Sequence, residues 1–261
     1  MLTILLHSSK TMRPAPASKD SPQSPGLMAR ATKLSDHLRS LTVEDIRTCM
    51  QLSPVKAEQT HQLIQSWTDD YAVQRPAIDA FLGDIYSGLQ VQSFSDQDRE
   101  YANDHLLILS GLYGGLRALD SIYPYRLEMG YKLPQKEFAN LYAFWGDSIA
   151  KLIPAKNLVI NLSAVEYTKA VLPYIDNQVI TPKFLTISKK TGEPTFVTVH
   201  AKIARGAFAH WLITNRIQTQ RKLVEFSELG YRYDSPLSTA QEPVFVCEEF
   251  KGLGLSVRLT Q

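Results

Sequence analysis

A glycine-rich stretch near the middle of the chain has residue types that could bind a phosphate group. Residues 110–115 read S-G-L-Y-G-G, with three glycines in six positions. Such a turn allows several backbone N–H groups to point at one place, as they do in many anion-binding loops. Ser110, Gly111, Tyr113 and Gly114 are therefore candidate binding residues. The alternative is that the glycines only end a helix and form a tight turn.

The same turn resembles a helix-hairpin-helix, in which a Gly-x-x-Gly hairpin presents backbone amides to a nucleic-acid phosphate. Ser95 is a suitable helix start, and the pattern predicts a helix that continues through Tyr101, His105 and Leu109. The sequence thus predicts a helix on the amino-terminal side of the glycines.

Two arginines follow the glycines and have carboxylates near them in the sequence. Arg117 precedes Asp120, and Arg126 lies two residues before Glu128 in P-Y-R-L-E. Because the residue before a proline avoids helix, this segment is expected to be extended, with Arg126 and Glu128 on one face. The planar guanidinium suits a phosphate or a carboxylate. Both arginines are candidate binding residues, and the alternative is a structural arginine–carboxylate network that holds the loop.

Three further cations lie where α/β proteins often bind anions. Lys202 and Arg205 are three residues apart at the predicted start of a helix, so they share a face. Cations in a first turn are disfavoured by the helix dipole, but a bound anion would reverse that cost. The alternative is a solvated basic face. Lys10 directly follows the first predicted strand, where it would point toward the usual ligand crevice.

Carboxylates in the same motifs leave a catalytic role open. Asp84 and Asp147 each neighbour a glycine in an otherwise apolar and aromatic setting. With Glu128 and Lys10 they are the candidate catalytic residues, because paired carboxylates can do general acid/base work. Equally, they can hold the cations in place. Spacing alone does not separate these two roles.

Several common site types are absent from the sequence. It contains no Walker A loop, no G-x-G-x-x-G at a helix start, no G-x-S-x-G and no H-E-x-x-H. The six histidines show no metal-ligand spacing with the two cysteines, and each histidine alone is expected to be a core or surface residue. We therefore expect neither a metal site nor a cofactor.

Alternating helical and strand patterns must position these residues. A buried first strand is predicted at residues 2–6, an irregular loop at 13–26, and a continuous apolar strand at 158–162. Helices are predicted from near Leu27, after Thr42 as N-cap, from Ser53-Pro54, over 137–152, after Ser163 and from about Lys202 to Arg216. Regions 179–188, 195–201, 244–247 and 255–259 are predicted to be β, with a hairpin turn at 190–193.

The whole chain is predicted to be one α/β domain, residues 1–261, with a mixed sheet covered by helices. Two cysteines cannot form a disulfide framework and fit a reducing compartment. The apolar run at the start is too short for a signal peptide or a membrane span, so we expect a cytoplasmic protein without a membrane partner. A net charge of +2 means that phosphate recognition must come from a local cluster of Lys and Arg.

At these residues the chain resembles the YaaA family of bacterial peroxide-stress proteins, over nearly its whole length. Residues 8–11 after the first strand are similar to the family's I-S-P-A-K-T, although the Pro-Ala is replaced here. The other similar segments are residues 81–89 (F-x-G-D-V-Y-x-G-L), 109–130 (L-S-G-L-Y-G-x-L-R-P-L-D-x-x-x-P-Y-R-L-E-M-G), 141–147 (L-Y-x-F-W-G-D), 160–169 (I-N-L-A-S-x-E-Y-x-K) and 201–206 (A-K-x-A-R-G).

The resemblance implies a cytosolic protein that limits oxidative, iron-driven damage, with an α/β fold, a positively charged cleft, a helix-hairpin-helix-like element and DNA binding. Two hypotheses follow. The first is a DNA-binding protein of the hydrogen peroxide stress response. The second is an enzyme that acts on a nucleotide-like or phosphorylated small molecule in the same cleft, since carboxylates repel DNA.

Overall fold

The computed structural model describes residues 1–14 and 23–254 of the chain. The strands are β1 (Leu2–His7), β2 (Thr11–Met12), β3 (Arg75–Pro76), β4 (Phe81–Leu82), β5 (Leu106–Ser110), β6 (Gly114–Arg117), β7 (Ser121–Ile122), β8 (Leu158–Asn161), β9 (Val179–Ile180), β10 (Lys183–Ile187), β11 (Pro194–Thr195), β12 (Tyr231–Asp234) and β13 (Val244–Cys247). The α-helices are α1 (Met28–Arg39), α2 (Val43–Cys49), α3 (Pro54–Gln65), α4 (Ala77–Ala80), α5 (Asp84–Leu89), α6 (Asp96–His105), α7 (Leu141–Trp145), α8 (Val165–Thr168) and α9 (Thr198–Thr214). Short 3-10 helices cover 71–73, 91–93, 150–152, 172–174 and 220–225.

The main sheet is built around the amino-terminal strand. Its order is β6-β5-β1-β8-β9, with β5, β1, β8 and β9 parallel and β6 antiparallel at one edge. Ile4 pairs with Leu106 on one side and with Ile160 on the other. Every residue of β1 except His7 is buried, because the strand is flanked by β5 and β8 in the middle of the sheet. The carboxyl ends of β1 and β8 meet at one edge of the sheet, since the two strands are parallel.

A second, smaller sheet lies later in the chain, in the order β11-β10-β13-β12. β10 and β13 are parallel, while β11 and β12 pair antiparallel at the edges. Phe184 of β10 and Phe245 of β13 stack with centroids 5.5 Å apart, and Phe208 of α9 contacts both rings. α9 thus packs its apolar side on this sheet, which fixes the helix that carries Lys202 and Arg205. The predicted class, mixed α/β with a mixed sheet and covering helices, is confirmed.

Several local predictions match the structure. Thr42 caps α2: its hydroxyl accepts a hydrogen bond from the Asp45 N–H at 3.1 Å, and the Asp45 carboxylate accepts one from the Thr42 N–H at 3.0 Å. α3 begins at Pro54, directly after Ser53. The turn at 190–193 joins β10 to β11. These predictions are correct because each depends on chemistry within a few residues of the chain.

The predicted helix through Leu109 is wrong beyond His105. α6 ends there, and Leu106–Ser110 is instead the buried strand β5, which pairs with β1 and with β6. The glycine turn therefore joins two antiparallel strands. The prediction of a helix-hairpin-helix at these residues is also wrong, since both arms of the hairpin are strands.

Other boundaries also differ from prediction. α9 begins at Thr198, so residues 198–201 are helical rather than β, and Lys202 and Arg205 lie beyond the first turn. The region 137–152 contains only α7 and a 3-10 turn at 150–152. The predicted strand at 255–259 and much of the predicted loop at 13–26 lie outside the described residues. Among helices in the described ranges, none has the length and apolar character needed to cross a membrane.

Candidate functional site

The glycine-rich turn between β5 and β6 is part of the core. Ser110 and Tyr113 have no exposed surface, and Gly111 and Gly114 are buried as well. The Tyr113 N–H donates to the Ser110 hydroxyl at 2.9 Å, and the Gly111 carbonyl accepts a hydrogen bond from Trp145 Nε1 at 3.1 Å. These groups have protein partners and no access to solvent. Phosphate binding by this turn does not fit the structure. The tight turn of the alternative is present, but it joins two strands and does not end a helix.

Close packing explains why glycine is needed in this turn. Gly114 has a φ of +72°, and a Cβ there would lie 2.9 Å from the Trp145 ring. Tyr113 fills the space beside it, with its hydroxyl accepting a hydrogen bond from Trp67 Nε1 at 2.9 Å. The motif thus builds the interior wall behind the site rather than the site itself.

The candidate site is a cavity of about 430 Å³ at the carboxyl edge of β1 and β8. Ligands of open α/β sheets bind in this position, beyond the carboxyl ends of the strands. The lining residues come from β1 and the turn after it, the start of α5, the extended segment 124–130, the start of α8, and α9. They are His7, Ser8, Ser9, Lys10, Gly83, Asp84, Ile85, Tyr86, Glu128, Ala164, Glu166, Tyr167 and Lys202.

A close helix crossing brings α5 and α9 to the same cavity. A Cβ on Gly88 would lie 2.0 Å from the Ile203 carbonyl oxygen, and one on Gly206 would lie 1.8 Å from the Ile85 carbonyl oxygen. The two backbones therefore touch, which only glycine allows. As a result, Asp84 at the start of α5 and Lys202 on α9 line one cavity, although they are far apart in sequence.

Lys10 and Glu128 form an ion pair in the wall of the cavity. Lys10 Nζ lies 2.7 Å from Glu128 Oε2, with the lysine side chain 53% exposed and the glutamate 18% exposed. The Arg126 guanidinium donates to the Lys10 carbonyl oxygen at 3.5 Å. The extended segment after Pro124 thus places Glu128 in the cavity wall and Arg126 behind the Lys10 backbone.

His7, the last residue of β1, is a neutral member of the cavity wall. Its Nδ1 accepts a hydrogen bond from the Ala164 N–H at 3.1 Å and lies 3.3 Å from the Ser163 hydroxyl. Burial, followed by the charges of Arg205 and Lys202, lowers the pKa of His7 to about 3. The imidazole therefore carries its only proton on Nε2 at neutral pH.

Buried tyrosines form the remainder of the wall. The Tyr86 hydroxyl donates to the His7 carbonyl oxygen at 2.9 Å. The Ser8 hydroxyl donates to the Tyr167 hydroxyl at 3.3 Å, and the Tyr167 ring stacks on His7 with centroids 5.0 Å apart. Burial raises the pKa of Tyr86 and of Tyr167, so both hydroxyls keep their protons at neutral pH.

Two of the predicted site residues lie elsewhere. Asp147 forms an exposed ion pair with Lys151 at 2.8 Å, within one helical turn of the chain, and does not line the cavity. Arg117 lines a different cavity of about 270 Å³, beside Asp120, near the amino ends of β1 and β5. Asp120 is 3% exposed, and burial raises its pKa to about 6. Its carboxylate accepts a hydrogen bond from the Arg117 backbone N–H at 2.8 Å, which is a structural role.

The structure brings four of the predicted residues to the cavity: Lys10, Asp84, Glu128 and Lys202. Arg205 does not line the cavity but is close enough to lower the pKa of His7. Arg126 lies behind Lys10 and donates a hydrogen bond to its backbone. Sequence reasoning missed His7, Glu166 and Tyr167. His7 lies just before the strand-exit turn that identified Lys10, and Glu166-Tyr167 follows the predicted strand at 158–162. The position of a residue at a strand end was the available signal for all three.

In the part of the chain that the structure describes, no three or more His, Cys, Asp or Glu side chains lie close enough together to hold a metal ion. Cys49 and Cys247 are free thiols, and burial raises the pKa of both. The functional groups in the cavity are therefore amino, carboxylate, imidazole and hydroxyl groups.

Comparison with known proteins confirms the resemblance seen in the motifs. A family model described as peroxide stress protein YaaA matches residues 2–237. A UPF0246 protein from Salinispora tropica is 50% identical over 258 residues, which cover 98% of each chain. A UPF0246 protein from Roseobacter denitrificans is 39% identical over 240 residues, which cover 88% of this chain and 93% of that protein. The chain belongs to the family of the peroxide stress protein YaaA.

Proposed function

We propose that this protein acts in the peroxide stress response by binding a small, nucleotide-like phosphorylated molecule. The molecule binds in the cavity at the carboxyl edge of β1 and β8, where carboxylates of the protein serve as general acids or bases. Membership of the family supports the role in peroxide stress. The observation that supports the ligand is the cavity itself: about 430 Å³ in volume, lined by Lys10 and Lys202 together with Asp84, Glu128 and Glu166. That volume is typical of sites for small ligands.

The mixture of charges favours a small ligand over a nucleic-acid backbone. A surface that follows phosphates along a duplex gains from Lys and Arg and is weakened by carboxylates. Here three carboxylates line the same cavity as the two lysines. The glycine turn that would present amides to DNA is buried. Carboxylates beside a bound phosphate ester are, in contrast, suited to general acid/base work.

DNA binding is the second candidate, and the exposure of the lysines favours it. Lys10 is 53% exposed and Lys202 is exposed, so both side chains can reach a partner outside the cavity. In this second candidate function, Lys10 and Lys202 at the rim of the cavity bind DNA, and the bound protein shields the DNA from iron-driven damage.

Binding of adenosine monophosphate and of a short duplex DNA to the wild-type protein, each measured by titration calorimetry at several salt concentrations, separates the two candidates. Under the small-molecule proposal, adenosine monophosphate binds with one site per chain. Duplex DNA then binds more weakly or not at all. Tight DNA binding that falls steeply with salt, without binding of the nucleotide, would contradict the small-molecule proposal and support the second candidate.

The variant Asp84→Asn gives the DNA candidate its own test, with Asp147→Asn as the matched control. Asp84 lines the cavity, whereas Asp147 is an exposed carboxylate outside it. If DNA covers the cavity rim, removal of the Asp84 charge raises DNA affinity and removal of the Asp147 charge does not. Equal responses of the two variants would place DNA, if it binds, on another surface.

A further inference from the structure

Charged residues of both signs lie around a stacked pair of rings in the cavity wall. The rings of His7 and Tyr167 lie 5.0 Å apart at an interplanar angle of 23°. After burial, Arg205 and Lys202 are the causes that lower the pKa of His7. Burial is also the first cause that raises the pKa of Tyr167, where Glu128 and Glu166 contribute in the same direction. Two cations thus influence His7, and two carboxylates influence Tyr167, the ring stacked on it.

The cations in and near the cavity differ in whether they form an ion pair with a carboxylate. Lys10 is paired with Glu128 at 2.7 Å. Lys202 and Arg205 form no ion pair with any residue of the described ranges. Arg205 is half-buried, and burial lowers its pKa. A partly desolvated guanidinium without a counter-charge is costly, so this side of the cavity is the one that gains most from a bound anion.

His7 adds a donor without adding charge. Because its Nδ1 accepts the Ala164 N–H, its single proton is on Nε2. A neutral imidazole that is fixed in one tautomer by a backbone amide is a well-oriented hydrogen-bond donor. Lys202 lines the same cavity, and the two residues together provide donors suited to the oxygens of a phosphate group.

The carboxylate side is held in place and is suited to hydroxyl groups. Glu166 Oε1 accepts a hydrogen bond from the Gly130 N–H at 2.8 Å, which leaves its second oxygen as an acceptor. Glu128 is oriented by Lys10. Two oriented carboxylates repel a phosphate but accept hydrogen bonds from the hydroxyl groups of a sugar.

On the basis of the proposed function, we propose that His7 and Lys202, which line the cavity, bind the phosphate group, with the nearby charge of Arg205 attracting it. Glu128 and Glu166 accept hydrogen bonds from hydroxyl groups of the same molecule. The ligand class is therefore a phosphorylated sugar or a nucleoside phosphate with free hydroxyls. Lys10, although it lines the cavity, positions Glu128 rather than the phosphate.

Titration calorimetry with ribose 5-phosphate, inorganic phosphate and ribose as probes tests this assignment. The wild-type protein is expected to bind ribose 5-phosphate at least about tenfold more tightly than either fragment. Lys202→Ala is expected to lower the affinity for ribose 5-phosphate and for inorganic phosphate by about tenfold each. Lys156→Ala is the matched control, because Lys156 is exposed and precedes β8 at the opposite edge of the sheet. It is expected to change nothing.

Glu166→Gln tests the other side of the cavity without loss of the fold, since the amide oxygen can still accept the Gly130 N–H. This variant is expected to lose affinity for ribose 5-phosphate while it keeps affinity for inorganic phosphate. If Lys202→Ala binds all three probes as the wild type does, while Lys10→Ala loses phosphate binding, the assignment is wrong although the proposed function stands. If the wild-type protein binds neither ribose 5-phosphate nor adenosine monophosphate, both are wrong.

Discussion

The pKa of His7 depends on the charged residues around the cavity. Its pKa is lowered to about 3 by burial and then by Arg205 and Lys202, although its Nδ1 interacts only with neutral groups, the Ala164 amide and the Ser163 hydroxyl. The shift also affects stability. Between that value and 6.5 the unfolded chain binds more protons than the folded chain, so the stability that neutral His7 provides is complete above about pH 6.5 and is lost as the pH falls toward 3.

A pH titration of the His7 ring signals by NMR checks this account. The signals are expected to stay constant between about pH 5 and pH 8 and to show the proton on Nε2, because the ring remains neutral throughout. In Lys202→Ala the His7 pKa is expected to rise, since one nearby positive charge is removed. A ring that titrates near its ordinary value in the wild-type protein would mean that His7 is not buried beside these cations.

The crossing of α5 and α9 is the element-scale feature on which the site depends. Gly88 and Gly206 bring the two backbones into contact, and Asp84 and Lys202 line the cavity from these two helices. Both glycines belong to motifs that sequence reasoning assigns to function. Their structural role is to let α5 and α9 approach closely enough for Asp84 and Lys202 to line the same cavity.

Gly88→Ala is expected to lower the free energy of unfolding by about 3 kcal/mol, because its Cβ would lie 2.0 Å from the Ile203 carbonyl oxygen and the helices must separate. Gly26→Ala is the control: among the described residues its Cβ would meet only Leu152 Cδ2, at 3.5 Å, so the change is expected within about 1 kcal/mol. Chemical denaturation of both variants measures the difference. Equal stabilities would mean that the two helices are not in backbone contact.

Elements with local signals can be predicted from the sequence, and elements set by distant partners cannot. The N-cap at Thr42 and the helix start at Pro54 depend on neighbouring residues, and both predictions are correct. The sequence predicts that the helix that begins at Ser95 continues through Leu109. Leu106–Ser110 is instead a strand because β1 and β6 pair with it on both sides. Pairing of this kind is not visible in a single sequence.

At the scale of the whole molecule, the main sheet decides which motif residues meet. The position of Lys10 after the first strand points to the candidate cavity, because β1 and β8 are parallel and end at the same edge of the sheet. The same reasoning, extended to His7 and Glu166, would find these two residues as well. Spacing cannot separate Arg117 from the site, since nothing local shows that β6 runs antiparallel and carries Arg117 to the other edge.

The most direct test of the central claim is a crystal structure of the protein grown with adenosine monophosphate. The nucleotide is expected in the cavity at the carboxyl edge of β1 and β8, with its phosphate within hydrogen-bond distance of Lys202 and its hydroxyls toward Glu128 or Glu166. A cavity that stays empty at saturating nucleotide, or a nucleotide bound on another surface of the protein, would contradict it.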